Sequence, residues 1–308
     1  MDKIIAILRR YGFDSQLDLD PNRAVLQTVE YCGNEKLNFF IQRDDLIHPV
    51  ISGNKWRKLE GWIRHAKTLN KHTLVTFGGA YSNHLVATAA AGHILGFKTI
   101  GLLRGDEPMN NHYLDIAQAY GMDIIGVPRS KYREASALVD EYHALEGHLV
   151  IPEGGQGIFA FEGFDELVLS MKNRVDVIIH ASATATTAVG LALAIKKYGL
   201  NIKVKSVLVL KNLEPQKQFA LYYGVADLIE FIDGYHFGGY AKANSELLEF
   251  TNHFIDSTGI VVDPVYTAKC LWAYKDLYQE NEFLGKRVAF LHTGGMLGRY
   301  SEKFDRKA

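Results

Sequence analysis

Two lysines stand three positions apart in the stretch SGNKWRKL, residues 52–59. Apolar residues follow at the i, i+3, i+4, i+7 spacing that predicts an amphipathic helix, namely Leu59, Trp62, Ile63 and Ala66. Projected at about 100° per residue, Lys55 falls near the middle of the apolar stripe, Lys58 near its edge and Arg57 on the far side. Desolvation lowers the pKa of a lysine on an apolar face, which favours imine formation with an aldehyde. The alternative is a frayed helix start from which Lys55 extends to water.

Two further stretches have the residue types of an anion-binding site. In FGGAYSNH, residues 77–84, Ser82 or Asn83 is a natural N-cap, and free N–H groups at a helix start attract a carboxylate or phosphate. In IHASATATT, residues 179–187, small and hydroxyl residues precede an alanine-rich helix, which predicts a phosphate site or a tight Ser/Thr turn. The GxGxxG spacing of a dinucleotide site is missing, which argues against a nicotinamide oxidoreductase.

Two short stretches place polar side chains at the ends of elements. DPVYTAK, residues 263–269, contains Tyr266, and LHTGG, residues 291–295, contains Thr293. Either residue alone is also compatible with an ordinary turn.

Short apolar strands alternate with amphipathic helices along the chain. We predict strands at 36–43, 72–79, 98–105, 122–127, 148–155, 175–182, 203–210, 227–232 and 287–294. We predict helices from about residue 55 and at 82–96, 111–120, 130–145, 160–173, 186–198, 214–223, 240–258 and 267–279. This pattern predicts an α/β fold with doubly wound, mostly parallel sheets, whose ligands lie beyond the carboxyl ends of the strands.

Composition narrows the class of protein. The 308 residues are 47% apolar and 22% charged with a net charge of -1, so nucleic acid and anionic membranes are not expected partners. No signal peptide is recognisable, and no run approaches the roughly 20 apolar residues of a membrane span. Cys32 and Cys270 have no metal-ligand spacing, so we expect no metal, two packing residues and a cytoplasmic location.

The stretch QRDDLIHPVISGNKWRKLE, residues 42–60, followed by GGAYSN, resembles the pyridoxal-phosphate enzymes grouped with 1-aminocyclopropane-1-carboxylate (ACC) deaminase and D-cysteine desulfhydrase. The resemblance runs nearly end to end. It implies pyridoxal 5'-phosphate as cofactor, the fold type II of the tryptophan synthase β subunit, and a homodimer. Glycine clusters at 52–54 and 154–157 then mark domain boundaries. We predict a large cofactor domain, 1–56 and 159–308, and a small inserted domain, 57–158.

The resemblance also implies a role for each matching position. The first lysine of GNK, Lys55, carries the cofactor as an imine and removes the substrate α-proton. Cofactor contacts are implied for Asn54, Asn83, Ala183, Thr184, Ala185, Thr186, Thr187, Thr267 and Thr293. Catalytic roles beside Lys55 are implied for Ser82, Tyr240 and Tyr266, and substrate contacts for these three with Asn83 and His84. Asn83 is assigned to the phenolic oxygen, Thr267 to the pyridine nitrogen, and residues 183–187 to the phosphate.

Two positions bear on the substrate. ACC deaminases usually have glutamate after the DPVY tyrosine and HLGG as the final motif, whereas this chain has Thr267 and Thr293. The pair resembles D-cysteine desulfhydrase, which implies β-elimination to pyruvate, ammonia and sulfide. The alternatives are an ACC deaminase, giving 2-oxobutyrate and ammonia, and a non-catalytic ligand-binding α/β protein. Departures from the family pattern are Trp56, His84 in place of glutamine, and Ala185 in place of glycine.

Overall fold

The structure is a computed structural model that describes residues 2–10, 18–32, 36–51, 53–105 and 111–299. By contact density the chain divides into unit 1, Met1–Asp20 with His48–Gly163, and unit 2, Pro21–Ile47 with Phe164–Ala308. The predicted small domain, 57–158, lies within the range of unit 1. Because contact density does not define domains of the family, the predicted domain boundaries stay a prediction.

The described strands are β1 Leu26–Cys32, β2 Lys36–Gln42, β3 Thr73–Gly78, β4 Lys98–Arg104, β5 Met122–Val127, β6 His148–Ile151, β7 Val177–Ser182, β8 Lys203–Leu208, β9 Ile229–Ile232 and β10 Val288–Leu291. The described α-helices are α1 Asp2–Arg10, α2 Asn54–Thr68, α3 Asn83–Leu95, α4 His112–Ala119, α5 Arg129–Arg133, α6 Ala135–His143, α7 Asp165–Met171, α8 Thr186–Lys197, α9 Leu213–Tyr222, α10 Ser245–Thr258 and α11 Thr267–Gln279.

Unit 1 contains a four-stranded sheet in the order β5-β4-β3-β6, and all its strand pairs are parallel. Every residue of β3 is buried, as expected for a central strand that is covered on both faces. One face carries an apolar cluster that includes Val75, Phe77, Leu102 and Tyr132.

Unit 2 contains a six-stranded sheet in the order β1-β2-β10-β7-β8-β9. The β1–β2 pair is antiparallel and the other pairs are parallel. The predicted α/β fold with mostly parallel sheets is therefore confirmed. Within the described ranges, no helix is long and apolar enough to cross a membrane.

The sequence pattern missed β1 and misjudged three helices. In β1, Val29 and Tyr31 are buried while Glu30 is exposed, an alternation that its polar residues concealed. The predicted helix 130–145 is interrupted at Glu134, whose φ of -94° and ψ of 46° are not helical. A 3₁₀ segment, Ile158–Phe164, precedes α7, and α10 begins only after Asn244, whose Oδ1 accepts from Leu247 N at 2.9 Å.

The prediction that both cysteines are packing residues can be compared with the structure for Cys270 alone. Cys270 is a buried, free thiol in the core of unit 2, as a packing residue should be. The side chain of Cys32 lies outside the described residues. In the part of the chain that the structure describes, no group of three or more His, Cys, Asp or Glu side chains could hold a metal ion.

Candidate functional site

Helix α2 places Lys55 in its first turn. Gly53 precedes the helix with a φ of 65°, in the left-handed region that favours glycine. The Lys55 ammonium donates to Asn54 Oδ1 at 2.6 Å, and Lys55 is only partly buried. Two predicted site residues are thus in direct contact at the start of one helix.

The helical projection was wrong about which basic residues are buried. Lys58 is 4% and Arg57 5% exposed, although the projection put them at the edge and on the far side. The reason is tertiary, because the segment from Gly154 to Gly163 packs on that side of α2. Lys58 Nζ donates to the Gly154 carbonyl, and a Cβ atom at Gly163 would lie 1.9 Å from the Arg57 carbonyl oxygen.

Burial makes Lys58 an unusual base. Burial, and to a smaller extent the charge of nearby Lys55, lower the pKa of Lys58 to about 7. The pKa of His84 lies well below its usual value, first because of burial and then because of Lys58 and Lys55. Unit 1 therefore brings Lys55, Lys58 and His84 together, and burial and mutual repulsion disfavour the charged forms of Lys58 and His84. Lys58 is part of the sequence motif, but the helical spacing of apolar residues did not predict that its side chain is buried.

A serine side chain caps the start of α3. Ser82 is the N-cap, and its Oγ accepts from Leu85 N at 3.3 Å, which confirms one of the two predicted caps. Asn83 is the first helical residue and is partly buried. Both residues lie at the carboxyl end of β3, where parallel sheets bind ligands.

His84 is buried behind that helix start rather than exposed. Thr76 Oγ1 donates its hydrogen to Ile151 O at 2.9 Å and lies 2.9 Å from His84 Nε2. His84 Nε2 must therefore carry the ring proton, which makes Nδ1 an acceptor. Among the described residues, Nδ1 has no hydrogen-bond partner. Its predicted contact with substrate stays a prediction.

The start of α8 differs, because no side chain caps it. Ala185 precedes the helix with a φ of 56°, a left-handed conformation that disfavours every residue except glycine. Thr186 and Thr187 are buried, and the Thr184 and Thr186 hydroxyls lie 3.2 Å apart. An uncapped helix start lined by hydroxyls fits a phosphate group.

A side-chain network that the sequence did not predict supports this loop. Asn212 Nδ2 donates to Ala183 O at 2.7 Å, and Gln216 Nε2 donates to Asn212 Oδ1 at 2.9 Å. Ser182 Oγ donates to Gln216 Oε1 at 2.6 Å. The only sequence signal was the i, i+4 spacing of the two amides at the start of α9.

The DPVYT turn is built around a buried carboxylate. Asp263 accepts hydrogen bonds from the N–H groups of Val265, Tyr266 and Thr267 at 2.9–3.0 Å. Thr267 Oγ1 donates its single hydrogen to Asp263 Oδ1 at 2.7 Å and accepts from Asp263 N at 2.7 Å. The Thr267 hydroxyl thus holds the turn that begins α11, and its predicted role toward a pyridine nitrogen stays a prediction.

Two predicted substrate residues of unit 2 are neighbours. The rings of Tyr240 and Tyr266 have centroids 6.2 Å apart at an angle of 71°. Burial of the hydroxyl raises the pKa of Tyr240, with a smaller contribution from Asp263, although 47% of the residue is exposed. A hydrogen bond with Tyr266 lowers the pKa of Tyr240 and so opposes the effect of burial.

Lys269 fixes the segment that precedes Tyr240. It is fully buried on α11 and donates to the carbonyls of His236 at 2.8 Å and Gly239 at 3.0 Å. Phe237 in this segment has a left-handed φ of 51°, so backbone strain there is offset by these bonds. The sequence did not single out Lys269.

Thr293 lies in the loop after β10 and is buried. The preceding residue, His292, accepts from Gly294 N through Nδ1 at 3.2 Å, and its Nε2 lies 2.8 Å from Val261 O. Nε2 therefore donates to that carbonyl, and the neutral ring ties the Thr293 loop to the segment before the DPVYT turn.

Comparison with known proteins agrees with this arrangement. The sequence pattern of the family described as pyridoxal-phosphate dependent enzyme matches residues 26–294. A Thermotoga maritima protein, provisionally named 1-aminocyclopropane-1-carboxylate deaminase, is 31% identical over 86% of this chain and 91% of its own length. An Arabidopsis thaliana protein, a bifunctional D-cysteine desulfhydrase/1-aminocyclopropane-1-carboxylate deaminase described as mitochondrial, is 29% identical over 87% of this chain and 75% of its own.

A crystal structure of an ACC deaminase homologue superimposes with a TM-score of 0.75 and 27% identity, covering 99% of this chain and 98% of that one. The family match spans both units, from β1 to the loop after β10. The chain therefore belongs to the pyridoxal-phosphate dependent enzymes, and pyridoxal phosphate is its cofactor.

Proposed function

We propose that the chain is a pyridoxal-phosphate lyase of a small amino acid, which eliminates the β-substituent of D-cysteine to give pyruvate, ammonia and sulfide. The observation that carries the proposal is the group of Lys55, Lys58 and His84, because it sets one partly accessible amine among buried bases that resist protonation. Such a group suits covalent and proton-transfer chemistry at an amine.

The cofactor, when bound, supplies an aldehyde for amino groups and a ring that withdraws electrons from the substrate α-carbon. Lys55 is the residue that we assign to the aldehyde. Once released, its Nζ takes the α-proton. Asn54 orients this amine through the 2.6 Å hydrogen bond between them. Lys58 remains a neighbouring base whose neutral form is favoured near pH 7.

Residues 183–187 are assigned to the cofactor phosphate. The backbone N–H groups at the start of α8, which the Ala185 side chain does not cap, and the hydroxyls of Thr184, Thr186 and Thr187 are the donors that we assign to it. Asn212 supports the loop from behind through Ala183. Ser82 and Asn83, at the start of α3, are assigned to the substrate carboxylate and to the phenolic oxygen respectively.

The two threonines Thr267 and Thr293 favour the desulfhydrase over the deaminase, because the resemblance places glutamate and leucine there in ACC deaminases. Neither threonine brings the negative charge with which a glutamate favours a protonated ring nitrogen, so the electron sink is weaker than with a carboxylate partner. The relatives support both activities as candidates, since the Arabidopsis protein is named for both and the Thermotoga protein for the deaminase. ACC deamination is therefore the second candidate.

The test is a panel of D-cysteine, L-cysteine, other D- and L-amino acids and ACC, scored for sulfide, ammonia and oxo-acid. We expect sulfide and pyruvate from D-cysteine, and little 2-oxobutyrate from ACC. The reverse result would replace the desulfhydrase by the deaminase. Bound cofactor without turnover of any substrate would favour a non-catalytic binding protein.

A homodimer and a cytoplasmic location are proposed from the resemblance alone. Light scattering coupled to gel filtration tests the first, with twice the chain mass of 34.5 kDa as the expected result. Cell fractionation tests the second.

A further inference from the structure

A cavity of about 390 Å³ in unit 1 is lined by Arg104, Arg129, Tyr132 and Arg133. Arg104 is the last residue of β4, and the other three belong to α5, which follows β5. Because β4 and β5 are adjacent and parallel, their carboxyl ends meet at the same edge of the sheet. Arg129 and Arg133 are four residues apart and share one side of α5.

The cavity opens on one face of the small sheet. Side chains alternate along a strand, so Arg104 shares a face with Leu102, which packs in the cluster containing Tyr132. Gly101 faces the other side, where a Cβ atom would meet Leu85 of α3 at 3.1 Å. The arginines therefore lie on the sheet face opposite α3, and Arg104 also borders the loop that contains Ser82, because a Cβ atom at Gly79 would lie 3.3 Å from its Nη2.

Three arginine side chains, one from the end of β4 and two from α5, line the same cavity. Among the described residues, none of them has a carboxylate oxygen within 4.0 Å. Arg104 Cζ lies 5.8 Å from the centre of the Tyr132 ring. Glu153 is close enough to act on the Tyr132 hydroxyl but forms no ion pair with these arginines. Like charges in one cavity repel, and a bound anion would remove that cost.

The Tyr132 hydroxyl adds a buried donor to the same cavity. The residue is 8% exposed, and the Glu153 carboxylate is a nearby acceptor that does not fully engage its buried Oη. Burial, and then the charge of Glu153, raise the pKa of Tyr132, so the hydroxyl keeps its proton at neutral pH. A buried donor whose hydrogen bond is incomplete costs free energy that a ligand oxygen would recover.

We propose that this cavity is a second ligand site, which binds the phosphate group of a small phosphorylated metabolite. Guanidinium groups pair with phosphate oxygens in a bidentate manner, and the tyrosine hydroxyl supplies a further hydrogen bond. A volume of about 390 Å³ lies in the range of small-molecule pockets and leaves room for more than the phosphate group alone. Binding at this cavity does not depend on the proposed amino-acid chemistry.

The test is calorimetric titration of the holoenzyme, saturated with its cofactor, at constant ionic strength. Inorganic phosphate and ribose 5-phosphate are the two probes. We expect saturable binding of both, tighter for the ester because it fills more of the cavity. Tighter binding of inorganic phosphate would overturn the proposed metabolite, and a lack of saturation with both probes would overturn the site.

Substitutions of the lining residues test whether the probes bind in this cavity. The double change Arg129→Gln with Arg133→Gln should weaken binding by about a hundredfold, because each charged hydrogen bond is worth roughly a factor of ten. Tyr132→Phe should weaken it about fivefold and keep the ring packing. Arg174→Gln, at an exposed arginine of unit 2, is the matched control and should leave affinity unchanged. Equal affinity in the double variant and the control, with both folded by circular dichroism, would refute the assignment.

Discussion

Unit 1 and unit 2 contribute different chemical groups to the candidate site. In unit 1 the groups are basic, with Lys55, Lys58 and His84 as electrostatic neighbours. In unit 2 they are hydroxyl groups, which belong to Thr184, Thr186, Thr187, Tyr240, Tyr266 and Thr267. The difference separates two tasks, because amines make and break covalent bonds whereas neutral hydroxyls hold a ligand by hydrogen bonds.

The helix starts show the same difference. Ser82 caps the Leu85 N–H group at the start of α3, so its oxygen already accepts a hydrogen bond within the helix. At the start of α8 the left-handed Ala185 takes the capping position and makes no side-chain cap. The Ala185 side chain therefore does not compete with an anion for the N–H groups of the first turn of α8.

The largest effect is expected from removing the reactive amine of unit 1. Lys55→Ala should lower kcat by at least about a thousandfold, because a positioned base and covalent amine are lost together. The visible absorbance of the bound cofactor should shift as well. Lys67→Ala, an exposed lysine on the same helix, is the control. Turnover within tenfold of the parent enzyme would remove Lys55 from the chemistry.

The second effect concerns the pH dependence of stability. The folded-state pKa of Lys58, about 7, lies below its ordinary value of 10.5, so the unfolded chain binds more protons between these values. The free energy of unfolding of the cofactor-free protein therefore gains, from this group, on the order of 3 kcal/mol as pH rises from 7 to 10.

Lys58→Met should flatten this rise, whereas Lys67→Met should not. Urea titrations at several pH values measure both. An unchanged slope in the Lys58 variant would show that Lys58 is hydrated and charged in the folded protein.

The third effect tests the hydroxyl side of the comparison. Lys269→Met removes two hydrogen bonds to the segment before Tyr240, which should then lose its fixed position. We expect KM to rise about fivefold to tenfold with a smaller change in kcat, because a substrate contact is loosened while Lys55 is untouched. Lys275→Met, on the same helix, is the control. A loss confined to kcat would contradict a positioning role.

The smallest effect is at the start of α8. Ala185→Gly should stabilise the protein by about 0.5–1 kcal/mol, because glycine adopts the left-handed conformation without the cost that alanine incurs. Ala188→Gly, inside the same helix, should destabilise by about 1 kcal/mol. Denaturant unfolding measures both. Destabilisation by both changes would show that Ala185 is not strained.

Local signals in the sequence located much of the molecule. Apolar runs bounded by glycine marked the parallel strands, and the start of α11 was predicted at Thr267, where it begins. Ser82 could be named as a cap because serine before an apolar helix has a direct physical reason. These features depend on neighbours within a few residues.

Features that depend on distant segments could not be predicted. Lys58 is buried by residues near 154, and Lys269 is tied to carbonyls about thirty positions earlier. The arginine cavity combines the end of β4 with α5, two segments that only the sheet register brings together. Helical periodicity reports one face of one element and contains no information about what covers the others.

The central claim is that Lys55, and not Lys58, is bonded to the cofactor. Reduction of the holoenzyme with borohydride, followed by proteolysis and fragment mass spectrometry, makes that bond permanent and locates it. We predict one cofactor mass added at Lys55 and none at Lys58. A label on Lys58 or on another lysine, or complete release of unmodified cofactor after reduction, would contradict the account.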